Sequence, residues 1–189
     1  SGCMSNFIPN GWKRNNNQQL QEIYEQCCKK AIELKLLDYT PELYIFKSTR
    51  MWGWARYPDT YQKMRGWKPY VGLNEVYLQD PTKAYNTICH ELAHIASPAR
   101  EHHGYTWRYN FSLLGRQFGL DRFERCSSND EVGLKLPKKN ELSTTPYKYR
   151  AYCPTCGREW KYKSCCKIIK NPNRWRCGTC KTNLKSEKI

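Results

Sequence analysis

The chain has 189 residues, room for one medium domain and a small one, and an aromatic content of 14% that supplies core material. Its formal net charge of +15 points to an anionic partner, most often nucleic acid. No apolar run approaches the roughly 18–20 residues that cross a bilayer, and the N-terminus lacks the apolar core of a signal peptide, so neither a membrane partner nor secretion is expected.

Residues 1–16 read as a loose, polar, Asn-rich lead-in, with Ser1-Gly2-Cys3 as a remnant of expression and Met4 as the natural start. From Gln18 to Leu37, Leu20, Ile23, Tyr24, Cys27, Ala31 and Leu34 recur at three- and four-residue steps, which predicts a helix ended by Asp38-Tyr39-Thr40-Pro41. Cys27 and Cys28 fit as small packed thiols. Leu43 to Thr49 is a short strand, and Met51 to Arg56 a second strand and loop before a turn at Pro58-Asp59. Tyr70 to Gln79 alternates and reads as a strand. Placed just before the helix that follows, it could serve as an edge that holds an extended peptide by strand addition. Asp80 as cap and Pro81 at the first position open a helix running to about residue 96, closed by Ser97-Pro98. Tyr105 to Phe118 forms another, burying Trp107, Phe111, Leu114 and Phe118 and stopped by Gly119. Residues 120–146 are mixed and charged, with Lys138-Lys139-Asn140 and Thr144-Thr145-Pro146 as linker. The expected fold class is α+β: a small antiparallel or mixed sheet on helices at 17–142, then a zinc ribbon at 147–189.

The helix at 81–96 carries His90-Glu91-Leu92-Ala93-His94, an H-E-x-x-H pattern. Residues i and i+4 share a helical face, so both His can meet one metal ion, while Tyr85, Ile88, Leu92 and Ile95 form an apolar row on another face. All four His fall between positions 90 and 103. Zinc that is to be catalytic needs a third protein ligand and an open position for water. The candidates are His102, His103 and Glu124, and His103 is preferred because Gly104 would let the chain turn sharply there. In such a site Glu91 would be the catalytic base, taking a proton from the water and passing it to the leaving amine. Cys89 borders the site as a packed thiol.

From Tyr147 the composition changes. The last 43 residues hold twelve Lys and Arg against two Glu, two thirds of the excess charge in less than a quarter of the chain. Cys153-x-x-Cys156 and Cys177-x-x-Cys180 have the arrangement of a four-cysteine zinc ribbon, in which a second, structural zinc supplies most of the folding energy of a small unit. Gly157 and Gly178 are expected where the knuckles need a permissive backbone, and Cys165 and Cys166 are spare. Eleven Cys, four of them so paired, fit a reducing compartment, hence an intracellular protein, cytoplasmic or at the nucleoid or nucleus. Tyr149, Arg158, Trp160, Lys161, Tyr162, Lys163, Arg174, Trp175 and Arg176 interleave aromatic and basic groups, which suits single-stranded or distorted DNA held without sequence preference. Trp160 and Trp175 could equally be the ribbon's core.

The chain resembles the SprT-like proteins, the group that includes the Spartan DNA–protein crosslink proteases. The likeness rests on Cys89-His90-Glu91-Leu92-Ala93-His94, on His103-Gly104-Tyr105-Thr106-Trp107, and on Arg174-Trp175-Arg176-Cys177-Gly178 before the last knuckle, and covers roughly residues 15 to 185. It implies a zinc metalloprotease with His90, His94 and His103 as ligands and Glu91 as base, a DNA-binding zinc subdomain, and DNA-bound or DNA-crosslinked proteins as substrates. DNA would then be both partner and activator. A monomer is expected. The alternative is a non-catalytic, zinc-containing nucleic-acid-binding module.

Overall fold

The computed structural model describes residues 8–139 and 145–189. Met4 and the residues before it lie outside these, as do Asn140 and Thr144 of the expected linker. Two compact units divide the chain at residues 142 and 143.

The first unit is α+β. Its elements are β1 (Lys13–Arg14), α1 (Gln18–Glu33), β2 (Leu43–Phe46), β3 (Gly53–Arg56), α2 (Thr60–Met64), β4 (Tyr70–Asn74), α3 (Tyr85–Ile95), α4 (Tyr105–Arg116) and α5 (Asn129–Val132). The sheet is mixed, in the order β1-β2-β4-β3, with β2 and β4 parallel and the outer strands antiparallel to their neighbours. One face, carrying Leu43, Val71 and Leu73, packs on α1 and α3.

Helix α1 buries Leu20, Ile23, Tyr24, Cys27, Cys28 and Ala31 as one stripe, and Asn17 caps it by accepting the Leu20 N–H at 2.9 Å. It stops at Glu33, four residues before the expected end. Lys35 takes φ 63°, and the N–H groups of Lys35 and Leu36 close onto the carbonyls of Ile32 and Ala31. This is a Schellman stop with a lysine where a glycine would have announced it. The described part of the lead-in, from residue 8, is also more ordered than its composition implied. Trp12 lies against Phe46 and Tyr70, and Lys13–Arg14 adds a strand beyond β2. Gly72 makes room for that indole, since a Cβ there would come within 2.4 Å of it.

The strand expected at 70–79 ends at Asn74 and is not an edge. β4 is paired on both sides, by β2 and by β3. Asn74, fully buried, accepts the Val76 N–H and donates to the carbonyls of Ser48 and Met51, all at 2.9 Å. Its side chain thereby ends the strand, starts the 3-10 turn Glu75–Leu78, and ties down the loop between β2 and β3. The edges are β1 and, next to β4 on the side of α3, β3. After it, α2 replaces a simple turn, opened by an Asp59–Gln62 capping box.

Asp80 and Pro81 open a 3-10 turn over Pro81–Ala84 that runs straight into α3. Ile88, Cys89, Leu92 and Ala93 go into the core. Trp107, Phe111 and Leu114 of α4 meet them there, and Gly119, at φ 77°, ends the turn after α4. Past it, Val132, Leu134 and Leu136 pack on the same core, which the mixed composition of 120–146 did not reveal.

The second unit has β5 (Tyr149–Tyr152), β6 (Glu159–Tyr162), α6 (Lys167–Lys170) and β7 (Lys185–Lys188), with a three-stranded antiparallel sheet in the order β6-β5-β7. Its buried cluster is small: Cys153, Cys177 and Leu184, with Ile168 and Cys180 against them. Among the described residues no helix is long and apolar enough to cross a membrane.

Candidate metal centres

Helical spacing puts His90 and His94 on one face of α3, and the loop after it returns His103 to them. The three Nε2 atoms form a nearly equilateral triangle, 3.2 Å (His90–His94), 3.1 Å (His94–His103) and 3.2 Å (His90–His103) on a side. Zinc–nitrogen bonds of about 2.0–2.1 Å in tetrahedral geometry separate two nitrogens by about 3.3 Å, so this donor set fits zinc. Burial, and then the neighbouring imidazoles, push His90 down to about 3; burial, then His103 and His102, push His94 down to about 4. His103 is lowered as well, by burial and then by Arg125 and His102. The rings are thus neutral at physiological pH, with lone pairs available to a metal.

His102 lines the cleft but is not one of the three convergent donors, and Glu124 lines hollows elsewhere. The turn that presents His103 is not made by Gly104, whose φ is −78°. His102 makes it, at φ 52°. Gly104 is needed for another reason. It begins α4, and a Cβ there would sit 3.1 Å from the Glu101 carbonyl.

Trp107 forms the floor. Its ring centroid lies 4.8, 5.3 and 4.5 Å from those of His90, His94 and His103, and its Nε1 donates to the His90 carbonyl at 3.2 Å. Beside the triangle stands Glu91, only 5% exposed, with Oε1 3.8 Å from His90 Nε2. Burial raises its carboxyl to about 8, an effect partly offset by the Ala55 N–H that it accepts. Tyr57 donates its hydroxyl to the His94 carbonyl and so anchors the end of α3.

The site opens into a cleft of about 570 Å³. One wall is β3. The Trp52 carbonyl accepts from Asn74 N–H at 2.8 Å, so strand alternation turns the main-chain groups of Gly53 and Ala55 away from β4, to the free edge. Gly53 is what lets α3 come this close, because a Cβ would lie 2.6 Å from Thr87 Cγ2 and 3.0 Å from Glu91 Cγ. The lining also includes Arg50, Arg125, Cys126 and Ser127, the last tied to the start of β3 by the Trp52 Nε1 bond to its carbonyl at 3.1 Å. None of these wall and lining residues stood out in the sequence. The one available signal was Gly53 between two tryptophans, since glycine inside a strand marks a close backbone approach.

In the second unit the sulfurs of Cys153, Cys156, Cys177 and Cys180 converge within 4.8 Å of one another, with Cys156 and Cys177 at 3.7 Å. Zinc–sulfur bonds of about 2.3 Å require about 3.8 Å between sulfurs, so this set too fits a tetrahedral ion. The knuckles are near copies. Gly157 and Lys181 donate to the carbonyls of Cys153 and Cys177, and the N–H groups of those Cys donate to the carbonyls of Arg158 and Thr182. Backbone N–H groups around Cys177 lower its thiol to about 6, whereas hydrogen bonds from Cys156, then burial, raise Cys180 to about 12. The permissive position is the one after each second cysteine: Gly157 at φ 77° and Lys181 at φ 59°. Gly178 has no such role, contrary to expectation. Cys165 and Cys166 stay outside the cluster.

The expected nucleic-acid contacts do not share one surface. Register places Tyr149, Trp160 and Tyr162 on one sheet face and Lys161 on the other. There Lys161 lies beside Arg150 and Glu159, and Arg150 is already paired with Glu159 and Glu187. Arg174, Trp175 and Arg176 lie on the segment entering the second knuckle, Arg176 donating to Asn183 at 3.2 Å. Arg158 is exposed, and Lys163 sits over Tyr147. Trp160 and Trp175 are both 38% exposed and outside the buried cluster, so neither is the ribbon's core. Comparison of the chain with protein-family models, curated proteins and solved structures finds no match in any of the three.

Proposed function

We propose that the chain is a SprT-like zinc metalloprotease that cleaves DNA-bound or DNA-crosslinked proteins and that DNA binding by the ribbon switches cleavage on. The observation that carries the catalytic part is the closed triangle of imidazole nitrogens with a buried carboxyl beside it, open to a cleft whose wall is a strand edge. A zinc ion held by three imidazoles keeps a fourth position for water, lowers that water's pKa to about 7 and polarises a carbonyl. The edge of β3 would align an extended substrate by main-chain hydrogen bonds through the N–H and carbonyl of Gly53 and the carbonyl of Ala55, the Ala55 N–H being held by Glu91; such bonds read backbone rather than sequence. Glu91 would accept the water proton at Oε1 and deliver it to the departing amine. Burial favours the protonated carboxyl and hence return of the proton to the leaving amine, while the charge of a bound zinc ion would favour the carboxylate that first accepts it. Trp107 and Tyr57 keep α3 and the rings in place. The charge of the second unit and the exposed faces of Trp160 and Trp175 support a nucleic-acid partner.

The test is cleavage of a DNA-binding protein such as a histone by the chain and by Glu91→Gln, with and without single-stranded DNA, with zinc content measured on the same samples. Cleavage by the wild type only with DNA, and none by a variant that keeps two zinc ions, is expected. Two zinc ions in both proteins and cleavage by neither would favour a non-catalytic nucleic-acid-binding module.

A further inference from the structure

Helix α4 shows the solvent a stripe unlike an ordinary surface. Its buried stripe is Trp107, Asn110, Phe111, Leu114 and Gly115. Its outer stripe holds Tyr105, Arg108, Tyr109, Ser112 and Arg116, which with Phe123 and Glu124 line a hollow of about 360 Å³. Tyr105 is 84% exposed and Tyr109 55%. Water-facing helix positions rarely carry two such rings, and no described apolar residue covers them. The rings are 16° from parallel with centroids 6.5 Å apart. That is within a few tenths of an ångström of twice the ~3.4 Å spacing of stacked bases, so the two near-parallel exposed faces offer stacking surfaces at a spacing compatible with one planar ring. Arg108 lies between the tyrosines in sequence, and Arg116 reaches over Phe123. No described carboxylate is within ion-pair distance of either guanidinium, Glu124 included.

We propose that this face of α4 is a second docking site for single-stranded DNA, on the catalytic unit itself, with one base between Tyr105 and Tyr109 and the flanking phosphates on Arg108 and Arg116. Two near-parallel aromatic faces beside two guanidiniums that have no carboxylate partner among the described residues match a base joined to phosphodiesters. A duplex hides its base faces and cannot enter. An acidic peptide would satisfy the arginines but leave the aromatic faces bare. The site is independent of cleavage, so it stands or falls separately from the protease reading.

The experiment uses the full, zinc-loaded chain and a labelled oligothymidylate of about twelve nucleotides carrying 5-iodouracil. Photocrosslinks mapped by mass spectrometry on the wild type should include Tyr105 or Tyr109. Binding by Y105A/Y109A at unchanged zinc content should weaken about fivefold or more, as expected for loss of base stacking. The same double variant should lose nothing on an abasic oligonucleotide, which a merely structural role of the tyrosines would not explain. Crosslinks confined to residues 145–189, with less than a twofold change in the double variant, would overturn the proposal. So would tighter binding of this face to the matching RNA than to DNA.

Discussion

Glu91 is the residue on which the metal-free protein turns. Its carboxyl titrates near 4.5 in the unfolded chain and about 8 when folded. Below pH 4.5 both states hold the proton and nothing is lost. Between 4.5 and 8 the unfolded chain gives it up while the folded unit must keep it or bury a charge, so stability falls as pH rises and levels off above 8. His90 and His94 act on the other side. Their folded values of about 3 and 4, against an ordinary 6.5, mean that stability falls as pH drops through 6.5. The metal-free first unit should therefore be most stable near pH 6.5. Glu91→Gln should remove the alkaline loss, on the order of 3 kcal/mol between pH 5 and 8, and leave the acid loss intact. Urea unfolding of chelator-treated wild type and variant across that range measures both limbs. An alkaline loss equal in the two proteins would show that Glu91 is not its source.

At the scale of elements, Lys181 carries a strain that its counterpart Gly157 does not. Both occupy the left-handed region at the same point of a knuckle, and for a residue with a Cβ that conformation costs about 1 kcal/mol. Lys181→Gly should raise the second unit's resistance to zinc loss, and Gly157→Ala should lower it by a similar amount, read as the chelator concentration that releases half the bound zinc. Equal behaviour of the two variants would mean that the metal outweighs the backbone there. The same pair shows how far sequence patterns reach. Cysteine spacing and the i, i+4 histidines are chemical constraints written directly in the chain, so the donor sets were legible, as were α1, α3 and α4 from their apolar stripes. Left-handed stops at Lys35, His102 and Lys181 were not, because tertiary contacts impose them on residues that do not favour them. Nor was the exchange of edge strand from β4 to β3. Which strand lies outermost depends on long-range pairing, and both segments are comparably rich in β-formers.

The whole molecule holds two units of different physical kind. The first has a continuous core running from Leu20 to Leu114. The second has a buried cluster of three residues, two of them candidate zinc ligands, so its apolar burial alone cannot offset the entropy of ordering the chain. Metal removal should accordingly act unevenly. After chelation, limited proteolysis should cut within residues 147–189 while the first unit survives as a resistant fragment. Simultaneous loss of both would mean that the first unit also depends on its ion to fold. On the proposed nucleic-acid partner, the +15 charge makes affinity fall steeply with salt, log affinity being linear in log salt; affinity that does not change with salt would count against that partner.

Trp107 makes the histidine centre visible to light. An indole in contact with all three imidazoles senses any change in their charge or tilt, and its N–H bond to the His90 carbonyl couples it to the helix as well. The protein therefore carries a built-in fluorophore at the histidine centre, whereas Trp160 and Trp175 of the second unit lie outside its buried cluster and are 38% exposed. Among the chain's seven tryptophans, the difference in emission between wild type and Trp107→Phe should therefore follow metal binding at the histidine centre and not at the cysteine centre.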